Sequence, residues 1–212
     1  MQLLLERYRD FRRNVLAHNR DFYESLAEGQ APETMLITCS DSRICPESMF
    51  GYKPGEVFVL RNAGNIVPAY GIGSGGEAAT IEYAVAVLKV KHIVVCGHTG
   101  CGAIKALLSP ETVESLPGVA SWLRAAENTR RVVIEANNGT PPKELLDEAV
   151  RENALCQLDH LRTHPAVASA LRQNRLQLHA WIYQLEDGMV EAYNEQSGKF
   201  EAVAEEFVST PS

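Results

Sequence analysis

Basic residues and long apolar runs are both scarce in this sequence. Its 212 residues include 20 lysines and arginines against 27 aspartates and glutamates, a formal net charge of −7. Proteins bind nucleic acid by neutralising phosphates with cationic side chains, so this balance argues against a nucleic-acid partner. No run reaches the roughly 18 apolar residues of a membrane span, and MQLLLERYRDFRRN has no signal-peptide core. We therefore expect a cytoplasmic protein with no membrane partner.

Cysteine is also infrequent, and its five residues are an odd number that fits no closed disulfide framework. A chain with 45% apolar residues at this length can bury its own core without disulfides. No CxxC pair of a thioredoxin-type site occurs, which leaves redox chemistry only a regulatory role. Reduced thiols or metal ligands are expected at Cys39, Cys45, Cys96, Cys101 and Cys156.

The length predicts a single domain over residues 1–212, with residues 1–28 forming a helical arm. Apolar residues recur at helical spacing through residues 3–26, and charged side chains fill the opposite face. The apolar positions are Leu4, Tyr8, Phe11, Val15, Phe22 and Leu26.

The pattern beyond the arm predicts an α/β fold. TMLITC, EVFVL and HIVVCG are short runs rich in β-branched residues, typical of buried parallel strands. Ser74 to Glu77 has the spacing of a capping box and opens the apolar helix AATIEYAVAVLKV. Further helices are predicted over 100–108, 118–131 and 143–163, and LQLHAWIYQL and MVEAYN flank a turn. We expect a central, mostly parallel β-sheet flanked by helices, with an N-terminal helical arm and a C-terminal antiparallel hairpin.

Two groups of polar residues follow predicted strands. Cys39, Asp41 and Arg43 alternate in CSDSR, and GHTGCG contains His98-x-x-Cys101. Ligands gather beyond the carboxyl ends of parallel strands, and zinc favours thiolate and imidazole donors, usually four in number. Each group alone has a structural explanation, as a buried cysteine, a surface ion pair or a helix cap. Their joint occurrence favours a metal site. A thiol phosphatase fits poorly, because Asp41 would repel a phosphate.

The chain resembles the β-class carbonic anhydrases. CSDSR, PGEVFVLRNAGNIVP, EYAV and GHTGCGAIKAL occur in that family's order and spacing, and the match runs from about Gln30 to Leu108 and more loosely beyond. The resemblance implies an enzyme with one Zn²⁺ per chain that reversibly hydrates carbon dioxide to bicarbonate and a proton. By this resemblance the zinc ligands are Cys39, His98 and Cys101, and the catalytic pair is Asp41 and Arg43.

The same resemblance assigns a substrate pocket at a dimer interface, with an N-terminal arm that embraces the neighbouring subunit. Residues 1–28 suit that arm, and we expect a homodimer, possibly a tetramer or larger assembly of dimers. Leu36 occupies the place where a bicarbonate-inhibited subclass has tryptophan, so we expect the non-gated subclass. Ala63 stands where some relatives carry a larger aliphatic residue. The matching pocket positions are Gln30, Phe58, Ala63, Tyr83 and Gly102.

Asp41 decides between an open and a closed site. Three protein ligands leave a coordination position for water, whereas four close it. If Arg43 pairs with the Asp41 carboxylate, a zinc-bound hydroxide oriented by Asp41 attacks carbon dioxide; if the pair breaks, Asp41 becomes a fourth ligand. Two other functions use the same residues: hydrolysis of carbon disulfide or carbonyl sulfide, and a zinc-stabilised scaffold with Asp41 permanently on the metal.

Overall fold

A computed structural model describes residues 1–72, 75–138, 140–141 and 144–203. Within these ranges one sheet is built from β1 (Thr34–Cys39), β2 (Val57–Asn62), β3 (His92–His98), β4 (Gln177–Tyr183), β5 (Val190–Asn194) and β6 (Lys199–Ala202). The strand order is β2-β1-β3-β4-β5-β6. The first four strands pair in parallel, and β5 and β6 add antiparallel to the edge. The predicted mostly parallel sheet with a C-terminal hairpin is confirmed.

The helices of the arm are α1 (Gln2–Asp10), a π-helical turn (Phe11–Leu16) and α2 (Arg20–Leu26). The other helices are α3 (Pro46–Phe50), α4 (Gly76–Glu82, continued by π-helical Tyr83–Leu88), α5 (Gly102–Leu108), α6 (Pro117–Leu123), α7 (Glu127–Ala136), α8 (Leu146–Thr163) and α9 (Pro165–Arg172).

Helix boundaries differ from the sequence prediction in several places. The helix expected over 100–108 begins at Gly102. The single helix expected over 118–131 is divided by a 3₁₀ turn at Arg124–Ala126, so α6 and α7 are separate helices. The helix expected from 143 begins at Leu146, and residue 143 itself is outside the described ranges. Ser74, the expected cap of α4, also lies outside them. Helical periodicity marks the apolar face but not the point where the axis turns.

The final strand, β6, was not predicted. It pairs with β5 across a turn in which Asn194 Oδ1 accepts the backbone N–H groups of Gln196 and Ser197 at 2.9 and 3.3 Å. Gly198 has φ +68°, which suits glycine in the left-handed region. A four-residue strand is too short to produce a recognisable alternation.

The two faces of the sheet are covered differently. Met35, Ile37 and Cys39 of β1 face the main core, where the helices from α5 to α9 pack. Leu36 points to the opposite face, in a small cluster with Val94 and Cys96. Since successive strand residues alternate between faces, this register places the sulfur of Cys39 on the helix-covered side.

The arm lies outside the core of the single chain. Neither α1 nor α2 contains a buried residue. Leu4 and Tyr8 are 69% and 56% exposed, and Phe11 and Leu26 are only half-buried, so the apolar positions of the predicted amphipathic arm are incompletely covered within this chain. No helix in the described ranges has the length and apolar character to cross a membrane.

A pair of histidines at the amino ends of two strands makes folding stability depend on pH. His92 Nδ1 lies 3.2 Å from His179 Nε2. Burial lowers the pKa of His179, and His92 adds to this against a smaller opposing effect of Glu195. The folded state therefore binds fewer protons than the unfolded state. The stability that neutral His179 contributes is fully present above a pH of about 6.5 and is lost on acidification.

We expect His179→Gln to reduce the loss of stability between about pH 7.5 and about pH 5.5. Urea denaturation of both proteins at the two pH values measures the difference. Equal losses for the wild type and the variant would contradict this origin of the pH dependence.

Candidate active site

The three candidate metal ligands meet at one edge of the sheet. Cys39 ends β1 and His98 ends the adjacent strand β3. These strands pair in parallel, with Thr34 opposite His92, so their carboxyl ends lie side by side. Gly100, with φ +65°, then turns the chain so that Cys101 directly precedes α5. The ligand atoms of Cys39, His98 and Cys101 lie within 4.8 Å of one another, and all three residues are buried.

The hydrogen bonding of His98 leaves one nitrogen free. Nδ1 is 2.9 Å from the carbonyl oxygen of Thr99. A carbonyl only accepts, so Nδ1 carries the proton and Nε2 keeps its lone pair. Nε2 is buried and has no hydrogen-bond partner among the described residues. An unpaired buried acceptor is costly, which makes this atom a candidate for an external ligand.

Thr99 connects His98 to the turn between β4 and β5. Its N–H donates to Tyr183 O at 3.0 Å, and its hydroxyl donates to Glu186 Oε2 at 2.9 Å. The N–H of Leu185 in turn donates to the Thr99 hydroxyl at 3.0 Å. The carbonyl that selects the His98 tautomer is thereby held by the C-terminal hairpin.

The two cysteines form a coupled pair. Their sulfurs are 3.9 Å apart, and the N–H of Gly64 donates to Cys39 Sγ at 3.4 Å. A hydrogen bond from the Cys101 thiol lowers the pKa of Cys39 against the opposing effect of burial, and the N–H of Gly64 adds to the lowering. The pKa of Cys101 is raised, because its proton is held by the Cys39 sulfur and because burial opposes a second negative charge. The protein alone therefore favours one thiolate and one thiol.

Asp41 and Arg43 form the predicted pair beside these ligands. Arg43 Nε and Nη2 donate to Asp41 Oδ1 and Oδ2 at 2.9 and 2.7 Å. The hydrogen bonds from the Arg43 side chain, followed by that from its backbone N–H, hold the pKa of Asp41 well below its usual range. Arg43 Nη2 also donates to Gly100 O at 3.2 Å. Asp41 Oδ2 lies 3.9 Å from His98 Nε2, at the rim of the ligand group.

Arg61 supports the same loop, and sequence analysis missed it. Its Nε donates to Cys39 O at 3.0 Å, while Nη2 donates to Asp41 O at 3.0 Å and Ile44 O at 2.9 Å. Three carbonyls of the CSDSRI segment therefore share one guanidinium. The only signal in the sequence is the arginine of PGEVFVLRNAG, and nothing there indicates that its partners are backbone atoms.

The expected pocket residues fall into two groups. Gly102 follows Cys101, and a Cβ added to it would meet no atom within 4 Å, so the space beside it is open. Ala63 is exposed and directly precedes Gly64. Gln30 and Tyr83 instead line a separate cavity of about 480 Å³. Phe58 lies beside Tyr83, with ring centroids 6.1 Å apart.

The second group is distant from the ligands in the same chain. Phe58 pairs with Met35, four residues before Cys39 on β1. At a rise of about 3.3 Å per residue, this separates them by about 13 Å along the strand. One chain therefore does not bring Gln30, Phe58 and Tyr83 to the metal-ligand group.

Comparison with known proteins decides the family. The profile of the carbonic anhydrase family matches residues 34–190. A carbonic anhydrase from Pseudomonas aeruginosa is 46% identical over 205 residues, which cover 97% of this chain and 93% of that protein. This chain belongs to the carbonic anhydrase family.

Solved structures place the enzyme in the β class. The β-carbonic anhydrase CcaA superposes with a TM-score of 0.92 at 43% identity, covering 95% of this chain and 98% of that one. A tetrameric β-carbonic anhydrase from Sordaria macrospora gives a TM-score of 0.80 at 33% identity, over 90% and 95% of the two chains. The resemblance inferred from the motifs and the assignment as a carbon dioxide hydrating enzyme are thus confirmed. The roles of individual residues stay predictions.

Replacing Arg61 with methionine should weaken both the fold and the activity of the enzyme. The loss of hydrogen bonds to three carbonyls should lower the free energy of unfolding by about 1–3 kcal/mol and loosen the segment that carries Asp41. Urea denaturation and a carbon dioxide hydration assay measure the two effects.

Arg131→Met is the matched control, because Arg131 is 73% exposed and contacts only Glu127 by an ion pair among the described residues. It should leave stability and activity near the wild-type values. Similar behaviour of the two variants would contradict a specific role for Arg61.

Proposed function

We propose that this carbonic anhydrase hydrates carbon dioxide at one zinc ion per chain, held by Cys39, His98 and Cys101. The observation that carries the proposal is the buried Nε2 of His98. It has a free lone pair and lacks a hydrogen-bond partner within the described part of the chain, and the His98 ring has a nitrogen within 4.8 Å of both sulfurs.

The donor set fits zinc in both chemistry and charge. Thiolate and imidazole donors favour Zn²⁺ over Mg²⁺ or Ca²⁺. Two thiolates 3.9 Å apart would repel each other in a buried site, and a divalent cation offsets both charges. When bound, zinc supplies a Lewis acid that lowers the pKa of water.

Asp41 orients the nucleophile in this proposal. Arg43 keeps the Asp41 carboxylate ionised and binds both of its oxygens, which holds Oδ2 beside the ligand set, 3.9 Å from His98 Nε2. An ionised carboxylate only accepts hydrogen bonds, so Oδ2 would accept a hydrogen bond from the attacking hydroxyl group and orient its oxygen lone pair toward carbon dioxide. Were the ion pair to break, Asp41 would become a fourth ligand and close the site.

The primary test is stopped-flow hydration of carbon dioxide between about pH 6.5 and about pH 9, on protein whose zinc content is measured in the same preparation. We expect one zinc per chain and activity that rises with pH, with a midpoint above about 7, because two thiolates reduce the Lewis acidity of the metal. Full zinc without turnover would favour the scaffold function, and turnover only with carbonyl sulfide or carbon disulfide would favour the hydrolase.

Arg43→Ala separates catalysis from metal binding. We expect zinc content to be retained and turnover to fall by about 10–100-fold or more, because Asp41 loses the partner that orients it. Metal analysis and stopped-flow rates measure the two quantities. Arg162→Ala, which removes a surface ion pair with Asp159, is the control and should change neither. Loss of zinc together with activity would instead assign Arg43 to the integrity of the site.

We further propose that the active unit is a homodimer in which two chains share each pocket. Gln30, Phe58 and Tyr83 of one chain would complete the site formed by the metal ligands, Ala63 and Gly102 of the other. Phe58 lies about 13 Å from Cys39 along the strand within one chain, and Gln30 and Tyr83 line a separate cavity, which supports this arrangement. The uncovered apolar side chains of residues 1–28 support a role for the arm in dimerisation. The tetrameric relative supports further pairing of dimers.

Mixed dimers test the shared pocket. Arg43→Ala and the double variant Gln30→Ala/Tyr83→Ala should each be strongly impaired, but co-expression should restore activity, because one site of each mixed dimer then contains no substitution. Co-expression of Arg43→Ala with Asp41→Asn is the control and should restore nothing, since every site keeps one defect. Failure of the first pair to complement would contradict the shared site.

A further inference from the structure

A single peptide unit connects the helical layer to Cys39. The N–H of Gly64, which donates to Cys39 Sγ at 3.4 Å, belongs to the same peptide plane as the carbonyl of Ala63. That carbonyl accepts the indole N–H of Trp122, on α6, at 2.8 Å. The N–H and C=O of a trans peptide point in opposite directions, so Trp122 fixes the direction in which the Gly64 N–H points.

The next carbonyl along the chain is also held. Asn153 Nδ2, on α8, donates to Gly64 O at 3.0 Å. Gln157 Nε2 donates to Asn153 Oδ1 at 2.9 Å, and Gln157 Oε1 accepts the N–H of Val67 at 2.9 Å. Asn153 and Gln157 are fully buried. Each amide therefore has its orientation set by its hydrogen bonds, and the two side chains hold the loop at Gly64 and at Val67.

Gly64 has a backbone conformation and close surroundings that favour glycine. Its φ is +83°, and a Cβ built there would lie 3.1 Å from the Cβ of Ala103. Glycine suits this position, because other residues rarely adopt this φ and a Cβ would lie tightly against Ala103. The turn is held in place by side chains that are distant in sequence.

We propose that Trp122 and Asn153 are positioning residues of the metal centre, which hold the Ala63–Gly64 backbone so that the Gly64 N–H donates to the Cys39 thiolate. A hydrogen bond to a ligand sulfur fixes its orientation and reduces the electron density that it gives to the metal. Acceptance of the indole N–H by Ala63 O also polarises the peptide and strengthens its N–H as a donor. This inference rests on the proposed zinc centre.

Trp122→Phe is the sharpest test, because it removes the indole donor and keeps an aromatic ring. The readouts are the rate of zinc release to a chelator and the thiolate-to-metal charge-transfer absorption of the cobalt-substituted protein. We expect zinc release to be faster by about 10-fold or more and the cobalt band to shift. Asn153→Leu, which keeps the branched shape and removes the amide donor, should change both readouts in the same direction.

Two controls separate positioning from stability. Trp181→Phe makes the same substitution beside the small cluster on the opposite face of the sheet. Leu158→Ala weakens the core of α8 and removes no hydrogen bond to the Ala63–Gly64 backbone. Both should keep the wild-type cobalt band and zinc release rate. Unchanged readouts in Trp122→Phe, or equal changes in the controls, would overturn the proposal.

A measurement on the wild type avoids any loss of folding in the variants. In protein substituted with a spin-active cadmium isotope, a hydrogen bond from N–H to the ligand sulfur should give a through-bond correlation between the metal and the Gly64 amide proton. Absence of that correlation would overturn the proposed positioning. Wild-type protein that binds neither zinc nor cobalt through thiolates would overturn the zinc centre itself, which is a distinguishable result.

Discussion

The parallel pairing of β1 with β3 is the constraint on which the site depends. Because the two strands run in the same direction and in register, Cys39 and His98 leave the sheet at neighbouring points on one edge. The alternation of side chains then puts Cys39 on the helix-covered face. Only a short turn through Gly100 is needed to bring Cys101 beside them. A ligand set from three sequence positions is thus assembled by rigid strands with little contribution from flexible loops.

The negative charges at this edge of the sheet explain why its positively charged side chains are arginines held away from the candidate ligand atoms. Two sulfurs and a carboxylate are concentrated there, and a nearby lysine could compete with a metal for the same charge. Arg43 is instead directed at Asp41 and Gly100, and Arg61 at backbone carbonyls. Planar guanidinium groups satisfy several acceptors in fixed directions, which an ammonium group cannot do. Positive charge therefore organises the loops and leaves the ligand atoms available.

Local patterns in the sequence were sufficient for the strands and for the meeting of Cys39, His98 and Cys101 as a group that could hold a metal ion. TMLITC coincides with β1, and the two half-sites follow strands whose carboxyl ends must share an edge. Arg61, Trp122 and Asn153 could not be predicted, because their partners are backbone groups far away in sequence and a backbone acceptor leaves no mark on residue type. The division between α6 and α7 was missed for a related reason, since periodicity describes faces and not directions.

The hydrogen-bond partners of the histidines could not be predicted from the sequence either. Nothing in their sequence context distinguishes His160 and His164, yet the structure ties both to the loop after β2, through Val67 O at 2.7 Å and Pro68 O at 3.0 Å. Their ring nitrogens thus stabilise the loop by hydrogen bonds to its backbone. His92 and His179 pair with each other at the amino ends of their strands, at the opposite end of the sheet from the ligand edge.

The hydrogen bonds of Thr99 to the β4–β5 turn have a consequence for how the chain matures. During synthesis Cys39, His98 and Cys101 all emerge well before Tyr183, Leu185 and Glu186, which hold Thr99. Until that hairpin is made, nothing from the turn fixes the carbonyl that selects the His98 tautomer. The nascent chain therefore carries all three candidate ligands in an unfinished arrangement, and the fixed orientation of His98 is completed only when the last strands join the sheet.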